Sequence, residues 1–187
     1  MAVYPVIFKT DIQHLDRKLQ NESLSRLARS AVQESAKQLG VTVSKFHKTP
    51  EGQPMAENGI FWSLSHKKSF VIGVACDQRV GIDCEELKPR SEGLLKAIAV
   101  PEEHPLFRQR NISVVELFSA KEAVLKAYGS GIKDLRNCRL IAEKGAWLVF
   151  EFAENTSLVQ QTQIEDHVFS IACSNEMQIT WMQQLAP

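Results

Sequence analysis

Two short stretches of this sequence, considered together, restrict the fold more than any other feature. The first is Val-Gly-Ile-Asp-Cys-Glu at residues 80–85, an apolar run that carries an aspartate and a glutamate two positions apart. If this run is a strand, both carboxylates project from one of its faces. The second is Phe-Ser-Ala-Lys-Glu-Ala-Val-Leu-Lys at residues 118–126, where a helical pattern places Glu122 and Lys126 on one helix face.

The two stretches place three carboxylates and two lysines on two rigid elements. These side chains are Asp83, Glu85, Glu122, Lys121 and Lys126. Clustered carboxylates repel one another unless positive charge lies among them. Mg²⁺ takes oxygen ligands and often keeps water and substrate phosphates in its coordination shell. The first hypothesis is therefore magnesium-dependent phosphate chemistry.

A third segment, Phe-Trp-Ser-Leu-Ser-His at residues 61–66, precedes the Asp-x-Glu stretch. In this order, Ser-His, Gly-Ile-Asp-x-Glu and Phe-Ser-x-Lys-Glu-Ala-x-x-x-Lys resemble the 4′-phosphopantetheinyl transferases, specifically the surfactin-synthetase-activating type. The resemblance extends from about residue 10 to the end of the chain. It implies an enzyme that moves 4′-phosphopantetheine from coenzyme A to a serine of an apo acyl or peptidyl carrier protein and releases 3′,5′-ADP.

The resemblance also implies roles for the clustered side chains. Asp83, Glu85 and Glu122 would hold Mg²⁺, and Glu122 would be placed to take the proton of the attacking serine. Lys126 would neutralise or protonate the leaving phosphate, with Lys121 assisting or lining the entrance. The sequence leaves open whether Glu122 acts mainly as a metal ligand or as a general base.

Coenzyme A would be bound by residues of the first half of the chain, as the resemblance implies. These residues are Arg29 (with Arg26 as a second choice) for the 3′-phosphate, Lys48 and Gly52 in a proline-rich loop that faces the adenine, and Ser65 and His66 for phosphates. Three residues, at two places in the chain, depart from the family. Gln53 stands where the family often has a basic residue, and Lys67-Lys68 replace a Ser-Gly pair that often follows the histidine.

The hydrophobic pattern predicts both helices and strands, and the resemblance implies an α+β fold. The pattern favours a helix over residues 12–39 that ends at Gly40, a β-hairpin from runs 70–76 and 80–84, and a helix that starts at a Ser113–Glu116 capping box. The apolar positions of that second helix predict that its lysines and Glu122 lie off the core face. Four further strands are predicted at residues 138–142, 146–152, 167–173 and 177–182.

The resemblance refines this fold to two similar α/β lobes related by a pseudo-two-fold axis. Each lobe would be a small, mostly antiparallel sheet with a long helix, and the site would lie in the cleft between the lobes. We place the N-terminal lobe at residues 1–90 and the C-terminal lobe at residues 91–187.

Composition restricts the partners. The 187 residues are 44% hydrophobic, with 22 basic and 22 acidic side chains, so nothing in the overall charge favours nucleic acid or an anionic membrane. The four cysteines show no Cys-x-x-Cys spacing and are predicted to be buried free thiols. Together with the absence of a long apolar run, these features predict a cytoplasmic protein. A complete site on one chain favours a monomer.

Three other interpretations remain open. The same carboxylates could serve another magnesium-dependent phosphotransferase or a pyrophosphate-cleaving hydrolase. The fold could also serve as a non-catalytic module that binds carrier proteins. The third interpretation is a plain structural domain in which the three motif matches are coincidence and the helix at 118–126 is an ordinary amphipathic helix with a surface ion pair between Glu122 and Lys126. The sequence does not identify the carrier protein or its pathway.

Overall fold

The computed structural model describes residues 2–89, 92–109 and 111–186, which form eleven strands and four α-helices. The strands are β1 (Ala2–Val3), β2 (Val6–Lys9), β3 (Phe61–His66), β4 (Phe70–Cys76), β5 (Val80–Glu86), β6 (Arg139–Lys144), β7 (Trp147–Phe152), β8 (Asn155–Ile164), β9 (His167–Cys173), β10 (Gln178–Ile179) and β11 (Met182–Leu185). The helices are α1 (Arg17–Gln38), α2 (Glu92–Ile98), α3 (His104–Gln109) and α4 (Val114–Ala127), with 3₁₀ turns at Pro101–Glu103 and Ile132–Asp134.

The strands form two main sheets, which confirms the α+β prediction. The first sheet has the order β11-β2-β4-β3, and the second has the order β5-β9-β8-β7-β6 with all of its pairs antiparallel. A short parallel pair joins β1 to β10. No helix in the described ranges is both long and apolar enough to cross a membrane.

The two long helices use the boundary signals that the sequence predicts. Ser113 accepts a hydrogen bond from the backbone N–H of Glu116, whose side chain accepts from the backbone N–H of Ser113, so the capping box is formed. Helix α1 ends just before Gly40, which has φ +70°. Its predicted apolar stripe is buried, and the residues are Leu24, Leu27, Ala28, Ala31 and Val32.

The predicted hairpin of residues 70–76 and 80–84 is wrong. Both runs are strands, but β4 pairs with β2 and β3 in the first sheet, whereas β5 pairs with β9 in the second. The two strands pack face to face, and Ile72 of β4 lies in one buried apolar cluster with Ile82 of β5. An alternating apolar pattern predicts strands but does not distinguish pairing along an edge from packing across a core.

The helices cover the outer faces of the two sheets. Helix α1 packs on β4, and α4 packs on β5 and β9. Successive side chains of a strand point to opposite faces. On β5, Val80, Ile82 and Cys84 enter the core between the sheets. The alternate residues, which include Gly81, Asp83 and Glu85, therefore face α4.

Two glycines allow the helices to approach the sheets closely. A Cβ atom on Gly73 of β4 would lie 2.4 Å from the backbone nitrogen of Val32 in α1. A Cβ atom on Gly81 of β5 would lie 1.9 Å from the carbonyl oxygen of Ala123 in α4. Each helix therefore rests its backbone directly on a strand. At Gly81 this contact brings α4 against the strand that carries Asp83.

The second half of the chain contains one strand that the sequence analysis missed. Strand β8 is ten residues long and pairs with both β7 and β9. Its sequence, Asn-Thr-Ser-Leu-Val-Gln-Gln-Thr-Gln-Ile, is mostly polar, and Ser157 and Val159 are its buried positions. Hydrophobic patterning therefore gives little indication of this strand.

The sheets connect distant parts of the chain. The predicted last strand, at 177–182, is divided into β10 and β11, which pair in parallel with β1 and β2 at the other end of the sequence. Strand β5 likewise joins the sheet built from residues 139–173. The predicted lobe boundary at residues 90 and 91 lies outside the described residues, and the division into two lobes stays a prediction.

All four cysteines are buried free thiols, as predicted. Burial raises the pKa of the Cys76 thiol to about 11 and that of Cys138 to about 12. Both thiols are therefore protonated at neutral pH and are weak nucleophiles.

We expect Gly81→Ala to lower the free energy of unfolding by about 1–3 kcal/mol, because the new methyl group must displace the backbone of α4. Gly131→Ala is the matched control, since Gly131 has φ −117° and open space around it, and its effect should stay within about 0.5 kcal/mol. Urea unfolding followed by circular dichroism measures both variants. Equal midpoints would contradict the tight contact.

Candidate active site

Side chains from three elements meet at one end of β3 and β5. They are Ser65 and His66 from β3, Asp83 and Glu85 from β5, and Glu122 and Lys126 from α4. The close contact at Gly81 positions α4 for this arrangement, because the backbone of Ala123, next to Glu122 in sequence, lies against the same face of β5. The structure therefore brings together six of the ten residues that the sequence analysis proposed for the site.

Serine side chains connect β3 to β5 across the gap between the two sheets. The backbone N–H of Ile82 donates to Ser63 Oγ at 3.1 Å, and Ser65 Oγ donates to Asp83 Oδ1 at 3.0 Å. The two serines are two positions apart and share one face of β3. Sequence reasoning selected Ser65 and missed Ser63. The available signal was the pair of alternating serines in an otherwise apolar strand.

Each carboxylate of the Asp-x-Glu pair faces a lysine. Lys126 Nζ lies 2.6 Å from Asp83 Oδ1 and also donates to Ser65 Oγ at 3.1 Å. Lys67 Nζ lies 2.7 Å from Glu85 Oε1. Asp83 and Glu85 are only 3% and 6% exposed, so these ion pairs compensate two buried negative charges.

Two carboxylate oxygens of the cluster are buried without a hydrogen-bond partner, namely Asp83 Oδ2 and Glu122 Oε1. Burial raises the pKa of Glu122, and the nearby Asp83 and Glu85 carboxylates raise it further, while Lys126 opposes the shift. Buried polar atoms are normally paired, so each exception needs an explanation. A cation that accepts oxygen ligands would satisfy both atoms.

The donor set suits a hard divalent cation such as Mg²⁺, which prefers carboxylate oxygens. No group of three or more histidine, cysteine or carboxylate side chains within the described residues is already arranged to hold a metal ion. The fit therefore rests on the unpartnered oxygens of Asp83 and Glu122, with Glu85 beside them in a pair with Lys67.

His66 lies at the exposed end of β3 among several cations. Partial burial lowers the pKa of the His66 imidazole, and the positive charges of Lys126, Lys67 and Lys48 lower it further. The lysines make this end of the site suitable for an anion, because an anionic ligand would offset their mutual repulsion.

The proline-rich loop at residues 48–54 closes over the end of α4. The side-chain amide of Gln53 donates to the carbonyl oxygen of Gly129, and Gly52 makes the turn with φ +88°. A pocket of about 650 Å³ lies between the loop and the segment after α4. Its lining includes Gly52, Gln53, Lys126, Tyr128, Ser130 and Lys133. Gln53, where the chain departs from the family pattern, therefore positions the loop.

The structure does not place Arg29 in the cluster. The side chain is on the exposed face of α1, and its guanidinium carbon lies 6.0 Å from the centre of the Phe46 ring. Phe46 in turn packs edge-on against Trp62 with ring centres 5.0 Å apart. The role of Arg29 in binding a 3′-phosphate stays a prediction.

The prediction that Lys121 lies off the core and lines the entrance of the site is wrong. Its side chain is fully buried, and its ammonium group lies 2.7 Å from Glu103 Oε1. It also donates to the carbonyl oxygens of Ile98 at 2.6 Å and Leu135 at 3.2 Å. A lysine next to Glu122 in sequence points about 100° away from it around a helix, so it enters the core on another face.

Glu103 completes this buried network and was not singled out from the sequence. Its carboxylate accepts from the backbone N–H groups of Val100 at 2.8 Å and Leu140 at 2.7 Å, in addition to Lys121. The pair therefore connects the segment around α2 and the start of β6 to α4. Burial lowers the pKa of Lys121, and the Glu103 carboxylate opposes that shift.

This chain belongs to the 4′-phosphopantetheinyl transferase superfamily, whose family model matches residues 79–177. The matched segment contains the Asp-x-Glu strand, Glu122 and Lys126, and it leaves Ser65 and His66 outside.

Two curated relatives carry a more specific name. The chain is 29% identical over 85 residues to enterobactin synthase component D of Salmonella austin and 30% identical over 86 residues to the protein of the same name from Salmonella typhi. Each match covers 43% of this chain and 37% of the relative, so only about a third of either relative is represented.

Lys121→Met should lower the free energy of unfolding by about 3–5 kcal/mol, because it leaves the Glu103 carboxylate buried without its cation. Lys133→Met, at an exposed position after α4, is the control and should stay within about 0.5 kcal/mol of the wild type. Denaturant unfolding provides the comparison. A Lys121→Met protein of wild-type stability would overturn the buried-pair assignment.

Glu122→Gln should stabilise the metal-free protein at neutral pH. The raised pKa of Glu122 means that its ionised form destabilises the native state above that pKa, and this penalty is absent below the ordinary value of 4.5. Relief of about 1 kcal/mol corresponds to a rise in Tm of roughly 2–4 °C at pH 7.5. The difference should vanish near pH 4.

Thermal melts of wild type, Glu122→Gln and the exposed control Glu22→Gln, each with a chelator and with Mg²⁺, test this expectation. Mg²⁺ should raise the Tm of the wild type and of the control and leave Glu122→Gln unchanged. If Glu122→Gln melts lower than the wild type at both pH values, the interpretation of Glu122 is wrong.

Proposed function

We propose that this chain is a holo-carrier-protein synthase of the surfactin-synthetase-activating type. It would transfer 4′-phosphopantetheine from coenzyme A to a serine of an apo acyl or peptidyl carrier protein and release 3′,5′-ADP. The observation that carries the proposal is the pair of buried, unpartnered oxygens of Asp83 and Glu122 beside the Lys126 ammonium group. These three residues lie within the segment that matches the family.

The nucleotide part of coenzyme A would occupy the pocket of about 650 Å³ beside the 48–54 loop. The charged residues of its lining are Lys126, Lys133, Glu51 and Asp134, and Gly52 also borders it. Pockets of this size with a few well-placed polar groups are typical ligand sites. Lys48 adds positive charge at the same end of the site, and it and the His66 imidazole would hold phosphates away from the reacting bond.

Mg²⁺ would be held by Asp83 and Glu122, with Glu85 as a third ligand. When bound, it would offset the negative charge that develops on the pyrophosphate oxygens.

The side chains of the protein would carry the proton transfers. As the serine oxygen bonds to phosphorus, the bond from phosphorus to the ADP oxygen breaks, and the serine proton passes to the Glu122 carboxylate. Glu122 would be placed for this role because it lies in the cluster with Asp83 and Lys126. Lys126 would neutralise the leaving phosphate, which requires only that it exchange Asp83 for a phosphate oxygen.

We also propose that the two sheets are the cores of two similar α/β lobes related by a pseudo-two-fold axis. The same contact in both halves supports this proposal, because a long helix lies on a strand glycine in each. Helix α1 contacts β4 at Gly73, and α4 contacts β5 at Gly81. The site would lie in the cleft between the lobes, where β3 meets β5. Because one chain supplies every proposed residue, we propose that the protein is a monomer. We also propose that it works in the cytoplasm.

The transferase predicts that an apo carrier protein incubated with coenzyme A, Mg²⁺ and this protein gains the mass of one phosphopantetheine. Asp83→Ala should lower the rate by about 100-fold or more, because it removes one of the two unpartnered oxygens and the partner of Lys126. Asp77→Ala, at an exposed position before β5, should retain the rate. Intact-mass spectrometry of the carrier protein over time gives the transfer rate of the wild type and of each variant.

Calorimetry with coenzyme A decides between the remaining interpretations if no carrier gains mass. Binding of coenzyme A without transfer across several carriers would favour a non-catalytic carrier-protein-binding module. Absence of both binding and transfer would refute the proposed function.

A further inference from the structure

Lys67 follows the Ser-His segment at a position where the resembled family often has a small residue, and the structure places it on Glu85. We propose that Lys67 is a second lysine for the substrate pyrophosphate, held on Glu85 until a divalent cation takes its place. This inference rests on the proposed function and adds a residue to it.

The geometry of Lys67 repeats that of Lys126. Lys126 reaches from α4 to Asp83 at 2.6 Å, and Lys67 reaches from the β3–β4 turn to Glu85 at 2.7 Å. In both pairs the carboxylate is buried and the lysine is partly exposed, with side-chain exposures of 29% for Lys126 and 37% for Lys67. Two neighbouring carboxylates of one strand are thus each paired with a partly exposed lysine from a different element.

Charge explains why Lys67 would move when the site is filled. In the metal-free protein the two lysines compensate Asp83 and Glu85. A divalent cation bound to these carboxylates would repel both ammonium groups, and the phosphates of the substrate would then offer the next negative charge. Lys67 would therefore exchange a carboxylate for a phosphate oxygen.

The local structure allows this exchange without a change in the backbone. The turn is fixed because the backbone N–H of Lys67 donates to the carbonyl oxygen of Phe70 at 2.8 Å. The four-carbon side chain is flexible, and it borders a pocket of about 270 Å³ that is also lined by Glu85, Leu94 and Phe118. Lys67 also contributes to the positive charge that lowers the pKa of His66, so it lies on the anion-binding side of the site.

A purely structural role would have a different consequence. If Lys67 only orients Glu85 as a ligand, its removal should weaken metal binding. If Lys67 competes with the metal for Glu85, its removal should strengthen metal binding and weaken the binding of coenzyme A. The two affinities therefore change in opposite directions under the proposal.

The experiment compares wild type with Lys67→Met, Lys67→Arg and the matched control Lys68→Met, whose side chain is exposed on the same turn. Mn²⁺ binding without coenzyme A is followed by electron paramagnetic resonance, and coenzyme A binding in saturating Mg²⁺ by calorimetry. We expect Lys67→Met to bind Mn²⁺ about threefold more tightly. Its affinity for coenzyme A should fall about tenfold. Lys67→Arg should restore the affinity for coenzyme A, and Lys68→Met should match the wild type.

The outcomes separate this inference from the proposed function. Weaker Mn²⁺ binding in Lys67→Met, or an unchanged affinity for coenzyme A, would overturn the role of Lys67 while wild-type transfer remained intact. Equal changes in the two affinities for Lys67→Met and Lys68→Met would mean that only the overall positive charge of the turn matters. That result would also overturn the role of Lys67. A wild-type protein that binds neither Mn²⁺ nor coenzyme A would remove the proposed function and this inference with it.

Discussion

The contact between the backbone of α4 and Gly81 is the constraint on which the site depends. It lets the helix lie directly on β5, so that Glu122 and Lys126 reach the carboxylates that follow Gly81 on the same face of the strand. A Cβ atom at Gly81 would lie 1.9 Å from the carbonyl oxygen of Ala123, so a side chain there would push α4, with Glu122 and Lys126, away from β5. The position of the chemistry is therefore set by the absence of a side chain two residues before Asp83.

Electrostatic balance holds the cluster together around that contact. Buried carboxylates are destabilising unless they are paired, and here Lys126 and Lys67 pair with Asp83 and Glu85. Glu122 is the exception, and its buried Oε1 atom has no partner. The cluster therefore combines compensated negative charges with two unsatisfied carboxylate oxygens, a combination that suits the binding of a cation. The pair of Lys121 and Glu103 serves a different purpose, since it is fully satisfied and anchors the neighbouring segment.

The sequence predicted the parts of the site that depend on local periodicity. The spacing of Asp83 from Glu85 and of Glu122 from Lys126 follows directly from strand and helix geometry, and the structure has both pairs on the expected elements. Features that depend on distant pairing were not predictable in the same way. The pairing of β5 with β9 and the mostly polar strand β8 both result from tertiary packing. The prediction for Lys121 was wrong because its buried partner, Glu103, lies 18 residues earlier in the sequence, and no local pattern indicates such a pair.

Strands from opposite ends of the described chain pair with each other, β11 with β2 and β10 with β1. The first sheet takes its strands from residues 6–76 and from the last strand at 182–185, while β5 belongs to the sheet made later. During synthesis, β5 therefore presents an unpaired edge until β9 has been made, and β2 does so until β11 has been made. Such edges attract other extended chains, and contacts between sequence-distant strands form slowly. Each sheet is therefore complete only when both halves of the chain are present, and the candidate site lies at the junction of the two sheets.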